Sequence, residues 1–427
     1  MNDWVAFMGG EASMGLFTLY CTVGVVGISA VALFKKGLRI LDASDKVLAV
    51  SFLATIIIGC SVFTYLNFSA TQANYDWMHD GLRYQQMGQS FLQNHEFIID
   101  GKYTQHLGPI YPMYLSVFYA FLPVHLGTQV AVEVIFALSV IVVFAVTRRL
   151  YGTSPAMITT ALVATFPTYL FATSRNYSEP LMLIMYTLTI YFIIESLKPE
   201  KTNRIIFAGL CAGIGFLTKS GIGYFFLITG VAGFLWRFYY MKWRVFKNKN
   251  YMIAVAVFLI IVLTWTVRNL YLFWDGTLPN LFVASQSSDY FYKAVVHSFT
   301  KDFGSFFVQF WFFMALTSLF MLSYLWIFFD YAKKAVSRIR DERTSCLLLA
   351  IALPLLITWV IGAIYFVYEN EWMADYLITY YPVSQVRYLV FTLIRYCFIV
   401  LVPLSWLAYE HAKRGADAAN LTELKDV

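Results

Sequence analysis

The chain has 427 residues, of which 59% are hydrophobic, 19% aromatic and only 13% charged, with a mean hydropathy of +0.64. So little charge over such a length excludes a soluble enzyme and points to an all-α polytopic membrane protein. The net charge of +6 is no sign of nucleic acid, because the basic residues gather in loops between apolar runs.

Taken in chain order, runs near twenty apolar residues mark the spans. They are Gly15–Phe34, Val47–Phe68, Thr128–Val146, Ala156–Ala172, Glu179–Ile194, Ile205–Leu217, Ile222–Trp236, Met252–Phe273, Phe306–Phe329, Cys346–Val367 and Tyr388–Tyr409. The expectation is therefore about eleven transmembrane helices. Gly15–Phe34 is too long for a signal-peptide core and has no basic residue before it, so it reads as a retained span. The cysteines Cys21, Cys60, Cys211, Cys346 and Cys397 lie in or beside these runs without metal-ligand spacing and read as buried small residues.

Charge orients the spans. Most of the 31 lysines and arginines fall in one set of loops, among them Lys35–Arg39, Arg148–Arg149, Lys198–Arg204, Arg237–Lys249, Lys333–Arg343 and the tail from Lys413. That set is expected inside, which puts the other loops at the outer face. A further apolar stretch, Pro109–Leu126, would invert every later loop if it crossed. It reads instead as an outer juxtamembrane helix.

Asn74–Pro112 is a polar stretch of about forty residues rich in carboxylates, histidines and tyrosines, and a loop of that length asks for a functional reason. Within it, Asp80 stands four residues before Tyr84, so the two share a face if the segment is helical. Asp80 can act as a general base on a hydroxyl, or as an N-terminal cap of a helix. Glu179, in Asn-Tyr-Ser-Glu-Pro, opens a span. An ionisable group at membrane depth suggests function, although a carboxylate also suits a helix start.

Lys219, Arg268 with Asn269, and Arg387 with Tyr388 place cations on the outer side, against the charge bias. A phosphate is one natural partner; snorkelling or an outer carboxylate is the other. The histidines, including His79 and His106, show no metal-binding spacing. No metal site is assigned, and a divalent cation is the one cofactor left open. The sequons at Asn67 and Asn176 lie close to the membrane and read as chance.

The order of these features resembles the GT-C glycosyltransferases of the protein O-mannosyltransferase and aminoarabinose-transferase superfamily. The resemblance runs from about Val47 to Tyr409. It rests on Asp80-Gly81 with Tyr84 and Gly88, Gly108 to Pro112, Arg148 to Gly152, Glu179, Gly209 and Gly213 with Leu217 to Lys219, Trp265 with Arg268-Asn269, and Arg387-Tyr388. The family's Asp-Glu pair is Asp-Gly here and its double proline is single.

The resemblance implies a GT-C-like fold in which residues 47–409 form the catalytic domain, with an outer loop over 69–127. An extra span and basic loop (1–46) precede it, and a short cytoplasmic tail (410–427) follows. It implies an inverting transfer from a polyprenyl-phosphate sugar donor to a lipid, glycan or protein hydroxyl at the outer face of the cytoplasmic membrane. Asp80 would be the base, and Glu179 would hold the sugar or orient the acceptor. Lys219, Arg268 and Arg387 would meet the leaving phosphate, with His79, Tyr84, His106, Tyr111, Asn269 and Tyr388 contributing to binding. A multispanning transporter or flippase of a lipid-linked or small anionic substrate is the alternative; it calls for charges nearer mid-membrane.

Overall fold

A computed structural model describes residues 46–72, 80–99, 101–103, 107–174, 176–273, 343–351, 399–407 and 409–410. The expected spans Gly15–Phe34 and Phe306–Phe329 lie outside these residues. Those at Cys346–Val367 and Tyr388–Tyr409 fall within them only in part, as the helical pieces 343–351, 399–407 and 409–410.

The described chain is helical apart from one two-residue hairpin. Helix α1 (Lys46–Gln72) leads to α2 (Asp80–Asn94), strands β1 (Ile98–Ile99) and β2 (Lys102–Tyr103), and α3 (Ile110–Tyr119). Then come α4 (Val124–Tyr151), α5 (Thr153–Ala164), α6 (Pro167–Ser174), α7 (Glu179–Ser196), α8 (Arg204–Thr218), α9 (Ser220–Met241), α10 (Arg244–Lys247) and α11 (Lys249–Phe273). Three of these are long and apolar enough to cross a membrane: Val124–Tyr151, Glu179–Ser196 and Lys249–Asn269. The protein is an all-α polytopic membrane protein.

Two expectations need revision. The run Ala156–Ala172 is not one helix but two, α5 and α6. Pro167 has no N–H to continue the ladder, and the residue before a proline avoids the helical region, so the chain breaks at Thr165–Phe166. The polar stretch after α1 is not structureless either. Its first part is α2, which buries Gly81, Tyr84, Met87 and Gly88 on one face at helical spacing.

The stretch Pro109–Leu126 divides at Ala120–Pro123 into α3 and the start of α4. Ten residues rise only about 15 Å, half of a hydrocarbon core, so α3 does not span on its own. It lies instead against α2 and α4. Gly88 makes this possible: a Cβ there would stand 2.9 Å from the Tyr119 ring and 3.1 Å from the Pro112 carbonyl oxygen.

The main core lies where α4, α7, α8 and α11 meet, with Phe136, Tyr169, Leu183 and Tyr186 fully buried. A second cluster under α2 and α3 is built on Tyr84, Met87, Tyr111 and Leu115. Helix α8 packs its glycines against α11. A Cβ on Gly209 would lie 2.4 Å from the Ala254 carbonyl oxygen, and one on Gly213 would lie 3.0 Å from the Ile261 side chain. Small residues four apart let two helix backbones approach in a membrane, where no hydrophobic force drives them together. Gly209→Val should therefore force α8 from α11 and destabilise by about 1–3 kcal/mol, read as a lower thermal midpoint in detergent.

Candidate active site

The site begins with a helix break. Helix α8 ends at Thr218 and α9 begins at Ser220, and the single residue between them, Lys219, is extended (φ −149°, ψ 101°). An extended residue between two helices projects its side chain away from both ladders. Gly108 presses on the same break. A Cβ there would sit 2.1 Å from the Leu217 carbonyl oxygen, so only glycine lets the outer loop touch the end of α8.

The Lys219 ammonium bridges two carboxylates. Its Nζ donates to Glu179 Oε1 at 3.1 Å and to Asp80 Oδ2 at 3.3 Å. The lysine side chain is 9% exposed, Glu179 0% and Asp80 27%. The ammonium also lies 5.6 Å from the Tyr177 ring centroid. Two carboxylates facing one ammonium leave this trio with a net negative charge. Burying such a group is tolerable only because the charges are paired.

Around the trio runs a second set of polar bonds. Asn176 sits at φ 55°, a left-handed conformation that asparagine tolerates better than most residues. Its amide donates to the Gly81 carbonyl at 2.9 Å and accepts from Tyr111 at 2.8 Å. The Tyr84 hydroxyl meets Ser178 Oγ at 3.1 Å, and its ring stands edge-on to Tyr111 with centroids 5.0 Å apart. Burial pushes both phenols above their ordinary range, so both stay neutral hydrogen-bonding groups at physiological pH. The segment Asn176–Glu179 thus fixes α2 and α3 beside the opening of α7.

Arg268 occupies a different setting. Its guanidinium stacks on Trp265 at 4.4 Å and lies within 6 Å of the Phe97 and Tyr103 rings, beside the hairpin. Its Nη1 donates to Asn269 Oδ1 at 2.8 Å. Tyr103 donates to Glu96 Oε1 at 2.8 Å, which raises the affinity of that phenol for its proton. This end of α11 is aromatic and cationic, whereas the trio holds two carboxylates to one ammonium.

Residues 111–267 match the family model described as dolichyl-phosphate-mannose-protein mannosyltransferase. Over this segment, a little more than a third of the chain, the protein is similar to that mannosyltransferase family. Two solved chains are also similar. The crystal structure of ArnT from Cupriavidus metallidurans bound to undecaprenyl phosphate is 14% identical, over 86% of this chain and 79% of that one, with a TM-score of 0.42. The apo state of the same protein is 14% identical, over 87% and 80%, with a TM-score of 0.41. No curated protein sequence matches the chain.

The matched segment contains Tyr111, Glu179 and Lys219 and stops one residue before Arg268, while Asp80 lies upstream of it. The structure brings Asp80, Glu179 and Lys219 together, and stacks Tyr84 and Tyr111 beside them. It sets Arg268 and Asn269 in the aromatic pocket of the hairpin. His79, His106, Arg387 and Tyr388 lie outside the described residues. Sequence reasoning missed Asn176 and Ser178 as parts of the site, although both belong to the Asn-Tyr-Ser-Glu-Pro segment that carries Glu179. The signal was an asparagine able to take a left-handed turn just before a helix start. It also missed Glu133 in α4, whose Oε1 accepts from Thr64 Oγ1 on α1 at 2.6 Å.

Lys219→Met should be strongly destabilising, by about 3–5 kcal/mol, because it strands the fully buried Glu179. Adding Glu179→Gln to that variant should recover part of the loss, and thermal unfolding of the single and double variants checks both signs.

Proposed function

We propose that the enzyme transfers a sugar from a polyprenyl-phosphate donor to a hydroxyl acceptor at the outer membrane face, inverting the anomeric centre, with Asp80 as general base. The observation that carries this reading is the unequal exposure of the two carboxylates on Lys219. Asp80 keeps 27% of its side chain open to solvent, while Glu179 is fully enclosed. Only the former can meet a reactant that arrives from water.

In this reading Glu179 acts through Lys219 rather than on the sugar. It anchors the ammonium, and the ammonium orients one oxygen of Asp80. As the acceptor oxygen attacks the anomeric carbon, its proton passes to Asp80. The bond from that carbon to the donor oxygen breaks, and the polyprenyl phosphate departs with the electron pair. A dolichyl-phosphate-linked donor is named in the description of the matching family, which supports this choice of donor class. Lys219 already faces two carboxylates, so the leaving phosphate falls to Arg268, whose planar fork can bind it bidentately, with Arg387 as a second candidate. Developing negative charge on that phosphate is the place where a fixed cation lowers the barrier most.

The assay is transfer from radiolabelled mannose linked to dolichyl or undecaprenyl phosphate, in membranes holding the full-length protein. Asp80→Asn should fold normally and lose roughly a hundredfold or more in turnover. Full activity in this variant would remove Asp80 from the chemistry. Arg268→Ala should raise the donor KM by about tenfold, since it deletes charge-assisted bonds rather than the base. An unchanged KM would place the donor phosphate elsewhere.

A further inference from the structure

We propose that the turn joining α9 to α11 binds anionic phospholipid headgroups in the leaflet opposite the Asp80–Lys219 site. Helix α9 has 22 residues and starts at the site. The helix after the turn, α11, is long and apolar enough to cross a membrane over Lys249–Asn269 and carries Arg268 at its far end beside the hairpin, so the turn at its start reaches the other interface. There the chain turns through Lys242 (φ 52°) and makes the four-residue helix α10 before α11 returns.

Val245, 0% exposed, anchors α10 to the protein. Its neighbours point the other way: Lys242, Arg244, Lys247 and Lys249 are all exposed. From residue 201 to residue 274 the sequence holds no Asp or Glu, and among the described residues none of the four forms an ion pair. Among these cations lie large aromatic residues. Trp243 is 73% exposed, Tyr239 67% and Phe246 44%. Trp243 packs on Phe238 and Phe246 with centroids 5.4 and 5.5 Å apart, and the Lys242 ammonium lies 5.0 Å from the Tyr239 ring centroid.

The mixture decides the partner. A soluble acidic protein would satisfy the cations but leave a cluster of exposed rings without purpose. An anionic lipid satisfies both, because aromatic side chains settle at the headgroup–acyl boundary while lysine and arginine reach the phosphates just above. Each cation at such a surface strengthens binding about fivefold, and the effect falls with salt.

The test uses the full-length protein in detergent and reads the thermal midpoint as lipid is added. Phosphatidylglycerol should raise the midpoint; phosphatidylcholine and inorganic phosphate should not. The variant Lys242→Gln/Arg244→Gln/Lys247→Gln/Lys249→Gln should keep the midpoint seen without added lipid and lose most of the shift, needing more than about tenfold more phosphatidylglycerol. A variant with the three lysines changed to arginine should keep the shift, which guards against a mere folding defect. The proposal falls if the glutamine variant responds like the native protein, or if phosphatidylcholine or inorganic phosphate gives an equal shift.

Discussion

The packing around the end of α8 depends on one ammonium group. Lys219 stands where α8 stops and α9 starts, and its contacts reach α7 through Glu179 and α2 through Asp80. Three chain segments far apart in sequence therefore share one electrostatic contact. The pairing offsets the cost of burying Glu179 and Lys219 away from water. The two carboxylates differ in depth: Glu179 is sealed off, while Asp80 keeps 27% of its side chain exposed.

The close backbone contacts serve this arrangement. Gly108 brings the outer loop onto the last turn of α8, immediately before Lys219. Gly209 and Gly213 bring α11 alongside the same helix, and α11 carries Trp265 and Arg268 at its outer end. Residues with no side chain at the contacts thus set the Asp80–Glu179–Lys219 trio and the aromatic box of Arg268 on neighbouring elements.

Membrane class and the apolar runs were legible in the sequence, because hydropathy reports depth directly. Asp80, Glu179 and Lys219 each stood out as charges at the ends of apolar runs. Their mutual pairing did not. Periodicity tells which face a residue shares with its own helix but not which helix will stand opposite, so Lys219 was left between a phosphate and an outer carboxylate, and the structure gives it two carboxylates. For the same reason Arg268 read as part of one cationic site, whereas it sits in an aromatic box built by Phe97 and Tyr103 from the hairpin. The break between α5 and α6 was hidden because Pro167 lies within a run that is apolar throughout. The seating of Asn176 was hidden because its motif reads equally well as a sequon.

That asparagine also bears on making the protein. Asn176, Tyr177 and Ser178 form an acceptor triplet for N-linked sugar, yet the Asn176 side chain is fully enclosed and its amide is engaged by Gly81 and Tyr111. In a host that glycosylates such triplets during membrane insertion, modification could happen only before the outer loop closes over it. A glycan there would exclude α2 and α3 from their places. Sugar on Asn176 would thus mark chains that failed to fold, and bacterial expression avoids that trap.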